Sequence, residues 1–147
     1  MKVYLKQLNG ITTVAKAESN HWVPMDGGEQ FGGSRAATMP MELFLISLAG
    51  CTGADVIAII DKMRLNYNKF EMVVSAERAT EHPKVYTKIH LDYYLFGEGI
   101  KEESFKHAIE LSQEKYCSVS AMIKNSVKLT YSHHINEPLP EGIVGKA

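Results

Sequence analysis

The feature that most constrains the fold is one long apolar segment, residues 40–64, with the sequence PMELFLISLAGCTGADVIAIIDKMR. Pro40 suits the first turn of a helix, where its missing N–H is not needed, and Glu42 lies where the positive end of the helix dipole favours an acid. The segment predicts one helix from Pro40 to about Arg64. Its length is sufficient for a membrane span, but it contains Glu42, Asp55 and two glycines, so we expect a buried core helix.

The length, composition and net charge of the chain favour a single soluble domain, residues 1–147, with no membrane-bound part. The chain has 16 basic and 17 acidic residues and a net charge of -1. No run of like charge provides a surface for nucleic acid or for an anionic membrane. The N-terminal MKVYLKQLNG lacks the apolar core and cleavage site of a signal peptide. We therefore expect a cytoplasmic protein with a small neutral partner.

The N-terminal third predicts short strands followed by a loop. KVYLKQ and ITTVAKA flank the turn LNG, in which Asn-Gly supplies the positive φ angles that a tight hairpin requires. A third short strand is expected in HWVPMD. Residues 27–39, GGEQFGGSRAATM, contain four glycines and little periodicity. They predict a loop, without the lysine-containing motif of a phosphate site.

Strands and helices alternate beyond the long helix. Residues 70–78 and 85–96 predict two antiparallel strands, the second with Lys88, His90 and Asp92 on a polar face. The later predictions are a helix over roughly 101–115 with Phe105, Ala108, Ile109 and Ser112 on one stripe, a short helix in SVSAMIKN, a strand in SVKLTY with Val127, Leu129 and Tyr131 inward, and an irregular tail, INEPLPEGIVGKA. The predicted fold class is α+β.

The two cysteines, Cys51 and Cys117, form no CxxC pair. A zinc cage would therefore need other ligands, for which His133 and His134 are candidates, and we expect neither a metal nor a cofactor. The simplest interpretation of each cysteine is a small buried hydrophobic residue.

The neighbours of each cysteine favour a more specific role. Ser47, Cys51 and Asp55 are spaced four apart and share one stripe of the helix, among the small residues LAGCTGAD. Small residues there indicate either close helix contact or access for a substrate. Cys117 precedes SVSAMIKN and is expected at a helix N-terminus, where free N–H groups stabilise a thiolate. Two such thiols suffice for peroxide reduction, in which one becomes a sulfenic acid and the other condenses with it.

The segments PMELFLISLAGCTG and EKYCSVSAM, with their spacing and the element order, resemble the osmotically inducible protein C and organic hydroperoxide resistance superfamily (OsmC/Ohr). The resemblance covers nearly the whole chain. It implies an OsmC-like fold, with antiparallel sheets wrapped around a long buried central helix, in an intertwined homodimer whose active sites lie at the subunit interface. It also implies a peroxidase for organic hydroperoxides, in which Cys51 attacks, Cys117 resolves, and an external lipoyl-type dithiol restores the thiols.

The resemblance is looser at two activating residues. In the family's peroxidases an arginine and a glutamate at the helix start favour the thiolate. Here Met41 separates the proline from Glu42, and that acid lies nine residues before Cys51, roughly 13 Å along a straight helix. Glu42 therefore either reaches a partner's site or stabilises its own helix start. Arg35, in the glycine loop, is the candidate arginine, with a solvated loop residue as the alternative, and Asp55 is expected to be structural or solvent-facing.

These departures resemble a branch of the superfamily often called YhfA-like. Three functions stay open on the sequence. The first is a thiol peroxidase for organic hydroperoxides. The second is another thiol function, such as disulfide exchange or redox sensing. The third is a non-catalytic binder of apolar small molecules, whose pocket the cysteines only line.

Overall fold

The computed structural model describes residues 1–142. The last five residues of the predicted irregular tail lie outside the described residues. The chain divides into two compact units, one covering Met1–Ile46 and the other beginning at Ser47. Each unit has its own three-stranded sheet.

The N-terminal unit contains the predicted hairpin. β1 (Tyr4–Asn9) and β2 (Thr12–Lys16) pair in antiparallel register, and β3 (Val23–Met25) pairs with β2 on its other side. Gly10 adopts a φ of 54° in the turn, a conformation that glycine reaches without steric cost. The hairpin and the third strand are confirmed, but the prediction that Asn9 shares the positive φ of the turn is wrong, because Asn9 is the last residue of β1.

The glycine loop of this unit is organised around one buried carboxylate. Asp26 is 2% exposed, and its Oδ1 accepts hydrogen bonds from the Gly27 N–H at 2.8 Å and from the Thr12 hydroxyl at 3.2 Å. Its Oδ2 accepts from the N–H and hydroxyl of Ser34, at 3.0 and 2.8 Å, and from the Ala36 N–H at 3.0 Å. The predicted loop is therefore a fixed structure, and it includes a 3₁₀ turn at Glu29–Phe31.

The long helix is confirmed as α1 (Pro40–Lys62), two residues shorter than predicted. It ends before Arg64, which has a left-handed φ of 56°. Only five of its residues are buried in the single chain: Leu48, Thr52, Gly53, Val56 and Ile60. The expectation of a buried central helix is therefore not met within one chain. By length and composition alone α1 also passes as a membrane span, a test that the core helix of a soluble protein passes equally.

The second sheet has the strand order β4-β5-β6, with β4 at Lys69–Arg78, β5 at Tyr86–Phe96 and β6 at Lys128–Ile135. The β4–β5 pair is antiparallel, as predicted. The expectation of antiparallel sheets throughout is wrong for β6, which runs parallel to β5. A helical crossover between β5 and β6 returns the chain to the same end of the sheet, which a parallel pair requires.

The apolar face of β5 forms the centre of this unit's core. Its fully buried side chains are Ile89, Leu91, Tyr93 and Leu95, while Lys88, His90 and Asp92 on the other face are half-buried. On β6 the prediction that Tyr131 points inward is wrong, since that side chain is 41% exposed in the single chain. β6 also extends four residues beyond the predicted SVKLTY.

The crossover consists of α2 (Glu102–Leu111), a π-helical turn at Ser112–Tyr116 and α3 (Ser118–Ile123). The predicted apolar stripe is confirmed, because Phe105, Ala108, Ile109 and Ser112 are all buried. The predicted single helix over 101–115 instead widens in its last turn, where the Cys117 N–H donates to the Ser112 carbonyl at 2.8 Å. That wide turn ends directly at the second cysteine.

Candidate active site

The structure brings the two cysteines together. The Sγ atoms of Cys51 and Cys117 and a carboxylate oxygen of Asp55 all lie within 4.8 Å of one another. Both cysteines are free thiols. α1 supplies Cys51 and Asp55 one turn apart, and the junction between the π-helical turn and α3 supplies Cys117. Asp55, expected to be structural or solvent-facing, is half-buried beside the thiols.

Cys117 caps the N-terminus of α3, as predicted. Its Sγ accepts hydrogen bonds from the Ser120 N–H at 3.3 Å and from the Ser120 hydroxyl at 3.2 Å. The expectation that this position favours a thiolate needs correction. Cys117 is only 2% exposed, and burial raises its pKa; the Ser120 hydrogen bonds oppose that rise, and the nearby Cys51 adds to it. The desolvation of a buried anion outweighs two donors on a short helix.

A buried polar network lies beside the thiols. Thr52 Oγ1 lies 2.6 Å from the Tyr93 hydroxyl and 2.8 Å from the Ser112 hydroxyl, and it accepts from Gln113 Nε2 at 2.8 Å. Gln113 Nε2 also donates to the Tyr93 oxygen at 2.8 Å, and the Ser112 hydroxyl lies 3.2 Å from Asp55 Oδ2. The network therefore connects α1, β5 and the π-helical turn to the acid of the cysteine cluster.

Sequence reasoning missed this network. One usable signal was Tyr93, predicted on the inner face of its strand, because a buried tyrosine hydroxyl needs a hydrogen-bonding partner. Burial raises the pKa of Tyr93 despite its bonds to Thr52 and Gln113. The phenol therefore stays neutral and serves as a hydrogen-bonding group rather than as a base.

A cavity of about 390 Å³ opens next to the cluster. Its lining includes the charged residues Asp55 and Lys62; the remaining lining residues are mostly apolar, namely Ala58, Ile59, Met63, Leu111 and Tyr116. A cavity with apolar walls next to half-exposed polar groups is typical of small-molecule sites.

The small residues around Cys51 have two different surroundings: one glycine packs closely against a neighbouring strand, and another has open space beside it. A Cβ added at Gly53 would lie 3.2 Å from Met72 Sδ and 3.6 Å from Phe70 Cε1, so α1 lies close to β4 there. A Cβ at Gly50 would meet nothing within 4 Å. The two interpretations that the sequence left open therefore apply to two different glycines.

The other two predicted site residues, Arg35 and Glu42, belong to the N-terminal unit. Glu42 Oε2 accepts a hydrogen bond from the Met39 N–H at 2.9 Å. That bond satisfies a free donor at the start of α1, which is the structural alternative for this acid. Arg35 is exposed, with a left-handed φ of 53°, and its N–H donates to the Gly27 carbonyl at 3.3 Å.

The histidines considered as metal ligands lie on β6, paired with carboxylates. His133 Nε2 lies 2.9 Å from Glu102 Oε1. His134 lies 2.9 Å from Asp92 and 3.0 Å from Glu137. Among residues 1–142, the groups whose ligand atoms come close enough to hold a metal ion do not include them.

Comparison with known proteins agrees with this architecture. Protein YhfA of Escherichia coli K12 is 33% identical over 135 residues, covering 92% of this chain and 98% of that protein. A hypothetical protein from Aquifex aeolicus VF5 has a crystal structure with a TM-score of 0.77 and 30% identity, over 92% of this chain and 97% of that one. An organic hydroperoxide resistance protein, OsmC, from Legionella pneumophila shares the fold at 15% identity and a TM-score of 0.65, over 90% of this chain and 96% of that one.

The family model described as OsmC-like protein matches residues 32–132, a stretch that contains both cysteines, Asp55 and the whole polar network. This chain belongs to the OsmC-like protein family.

Proposed function

We propose that this protein is a thiol peroxidase that reduces organic hydroperoxides through Cys51 and Cys117. The observation that carries the proposal is the pair of unbonded sulfurs within 4.8 Å of each other, beside a cavity that is largely apolar. The likeness in fold to a Legionella protein named for organic hydroperoxide resistance supports it.

We assign different roles to the two thiols because their burial differs. Cys51 is half-exposed, whereas Cys117 is buried and burial raises its pKa. A peroxide reaches Cys51 first, and Cys117 keeps its proton until Cys51 has been oxidised to the sulfenic acid. Cys51 is therefore the attacking thiol and Cys117 the resolving thiol.

The reaction is a two-electron reduction of the peroxide. The Cys51 thiolate attacks one peroxide oxygen, the O–O bond breaks, and the alkoxide leaves as an alcohol after taking a proton from water. Cys51 is then a sulfenic acid. Cys117 attacks that sulfur, the disulfide forms, and hydroxide leaves as water with the proton that Cys117 gives up. An external dithiol, of the lipoyl type, exchanges with the disulfide and restores both thiols.

The cavity beside Asp55 accommodates the organic part of the hydroperoxide. Ala58, Ile59 and Met63 on α1 and Leu111 provide apolar contact, which favours an alkyl or aryl group over a hydrated one. We place the reaction in the cytoplasm, where a reducing environment returns both cysteines to thiols.

We propose Arg35 as the cation that favours the Cys51 thiolate. Four of the five hydrogen bonds to Asp26 come from its loop, within the N-terminal unit, and the family resemblance is what supports the assignment of Arg35 to the thiol. Glu42 is assigned to the start of α1, where its carboxylate is already engaged by Met39. A role of Glu42 in a partner's site would require that bond to break.

The working unit is proposed to be an intertwined homodimer. All six residues of β1 are exposed, including Tyr4, Leu5 and Leu8, and a three-stranded sheet without a covered apolar face is not stable alone. On α1, Ile46 and Ile57 are also exposed. Apolar surface on this scale marks an interaction site, and a second copy of this chain is the partner we propose. Sedimentation equilibrium that returned a monomer at micromolar concentration would contradict this part of the proposal.

The test of the chemistry is single-turnover oxidation. Reduced protein is mixed with one equivalent of cumene hydroperoxide, the remaining peroxide is measured, and peptides are mapped by mass spectrometry. We expect loss of one peroxide per chain and a Cys51–Cys117 disulfide. Cys51→Ser is expected to consume none, and Cys117→Ser to stop at a sulfenic acid that dimedone traps.

Two comparisons separate the proposal from its alternatives. Faster reaction with protein disulfides than with cumene hydroperoxide would indicate disulfide exchange instead. Wild-type protein that leaves the peroxide untouched would remove the peroxidase altogether. For Arg35, the matched control is Arg64→Ala: the Arg35→Ala variant is expected to lose rate and the Arg64→Ala variant to keep it, and equal rates would dismiss Arg35.

A further inference from the structure

We infer that Cys51, Asp55 and Cys117 in the reduced protein form a binding site for a thiophilic divalent cation, with Zn²⁺ as the ion that best fits the ligand set. Two thiolates and one carboxylate are ligand types that zinc takes in proteins. The site goes beyond the peroxidase chemistry, since it needs neither peroxide nor dithiol. It also departs from the expectation, drawn from sequence, that the protein binds no metal and that any further zinc ligands would be His133 and His134.

The distances suit one ion. Three atoms that lie within 4.8 Å of one another have a common point no more than about 2.8 Å from each, against zinc bonds of about 2.3 Å to sulfur and about 2.0–2.2 Å to a carboxylate oxygen. Side-chain rotations that move each ligand atom by well under an ångström close that difference. Spacing on α1 helps, because Cys51 and Asp55 are four residues apart and project from the same side of the helix.

Two of the three ligand side chains, those of Asp55 and Cys117, already have hydrogen-bond donors next to them. The Ser112 hydroxyl lies 3.2 Å from Asp55 Oδ2. The Ser120 N–H and hydroxyl donate to Cys117 Sγ at 3.3 and 3.2 Å. Such outer donors orient metal ligands and hold them in their binding rotamers. The polar network and the cap of α3 therefore supply a prepared outer shell.

Charge also favours a cation at this point. Within residues 1–142, Asp55 forms no ion pair, although it is half-buried beside two ionisable thiols. On binding, each thiol gives its proton to solvent and coordinates as a thiolate. The ion's two positive charges then compensate the negative charges that the three ligands carry in the bound state.

An ion has a route to the site and room for a fourth ligand. Asp55 lines the cavity of about 390 Å³, and Cys51 is half-exposed. Water or a small ligand in the cavity completes a tetrahedral set, as in zinc sites with three protein ligands. Because a metal-bound thiolate is not free to attack, zinc and peroxide compete for Cys51.

The competition has a defined stoichiometry, which rests on the proposed peroxidase chemistry. One organic hydroperoxide and two protons convert the two thiolates into a disulfide, with release of one alcohol, one water and the Zn²⁺ ion. The two sulfurs lose two electrons, and the peroxide gains them. Oxidation would thus convert the site from a zinc ligand set into a disulfide that no longer holds the ion.

The test measures metal binding alone, with no peroxide present. Reduced, oxygen-free protein is titrated with Zn²⁺ against a chromophoric chelator, and Co²⁺ is added separately to look for sulfur-to-metal charge-transfer absorption. We expect one ion per chain. Cys51→Ser and Asp55→Asn are each expected to weaken Zn²⁺ binding by at least about tenfold, since even outer partners of a zinc ligand contribute about 10- to 100-fold.

Matched variants make the result decisive. Asp61→Asn removes an exposed acid of the same helix, one bonded to Tyr67 and not to the thiols, and is expected to leave Zn²⁺ affinity unchanged. Circular dichroism confirms that each variant is folded. Equal Zn²⁺ affinity of Cys51→Ser, Asp55→Asn and wild type would overturn the site. Loss of Zn²⁺ binding in a double variant, His133→Gln with His134→Gln, would also overturn it, because the histidines would then hold the ion. Neither outcome bears on the peroxide assay.

Discussion

The hydroxyl oxygen of Thr52 lies 2.6 Å from that of Tyr93, in a fully buried hydrogen bond that joins α1 to β5. Ser112 and Gln113 from the π-helical turn bond to the same threonine oxygen. Cys51 precedes Thr52 directly, and Cys117 follows the π-helical turn. The bond therefore belongs to the framework that holds the two sulfurs near each other.

Replacing Thr52 with valine is expected to destabilise the protein. The change keeps the shape but removes the group shared by Tyr93, Ser112 and Gln113, leaving buried polar atoms with fewer partners. We expect a loss of about 1–3 kcal/mol in the free energy of unfolding, measured by urea denaturation with reductant present. Thr52→Ser keeps the hydroxyl and is the control, expected to lose less; an equal loss in both variants would point to packing rather than to the hydrogen bonds.

A double-mutant cycle isolates the bond itself. Thr52→Val and Tyr93→Phe remove its two ends separately and together. Residues in one hydrogen-bond network couple by about 0.5–3 kcal/mol. Strict additivity of the two losses would mean that the 2.6 Å contact contributes nothing of its own.

The regular elements were predictable because their signals are local. The Asn-Gly turn, the apolar run of α1 and the stripe of α2 each depend on a few neighbouring residues. The parallel direction of β6 was not predictable in this way, because it depends on the end of the sheet to which the helical crossover returns the chain. The inward prediction for Tyr131 failed for a related reason, since alternation along a strand identifies two faces but not what covers them.

The site was predictable in part. The closeness of Cys51 and Cys117 followed from the family resemblance; spacing alone gave no reason for residues far apart in sequence to meet. The position of Cys117 at a helix start was readable locally, whereas its raised pKa was not, because burial is a property of the whole fold. Thr52 and Ser112 carry no signal that separates a network member from an ordinary helix residue.

Gly53 tests the close approach of α1 to β4. An alanine there places a Cβ 3.2 Å from Met72 Sδ, and that flexible side chain is able to move, while the helix gains about 0.5–1 kcal/mol from the loss of glycine. A small net change is expected. Gly53→Leu has no such space and is expected to cost about 1–3 kcal/mol or more. Thermal unfolding of both variants measures the difference, and a leucine variant as stable as the alanine one would show that the helix stands off the strand.

Asp26 predicts an acid-sensitive N-terminal unit. The Ser34 hydroxyl, followed by the N–H groups of Ala36, Gly27 and Ser34, lowers the pKa of this carboxyl well below its ordinary value. Stability from a lowered pKa is complete above the unfolded value, about 3.9, and is lost as the pH falls towards the folded one. Hydrogen exchange of residues 27–36 is therefore expected to speed up as the pH falls below about 4, once corrected for intrinsic rates.

Two variants check the Asp26 prediction. In Asp26→Asn, an amide group faces N–H donors, and fast exchange is expected at neutral pH as well. Glu29→Gln changes an exposed acid of the same loop and is expected to behave like wild type. Slow exchange at neutral pH in Asp26→Asn would show that the carboxylate does not hold the loop.

His134 predicts the opposite pH dependence for the second sheet. Partial burial disfavours its charged form, but hydrogen bonds to Asp92 and Glu137, at 2.9 and 3.0 Å, outweigh that effect and raise its pKa. The ring also stacks on Tyr94 with centroids 4.4 Å apart, and His90 shares Asp92 at 3.3 Å. Stability from a raised pKa is complete below the unfolded value, about 6.5, and is lost as the pH rises through the folded one.

The urea concentration at the unfolding midpoint of wild type is therefore expected to decrease as the pH is raised from about 6 to about 9. The midpoint of His134→Gln is expected to decrease less. His107→Gln, a change to an exposed histidine of α2, should keep the wild-type slope, and an unchanged slope in His134→Gln would contradict the assignment to His134.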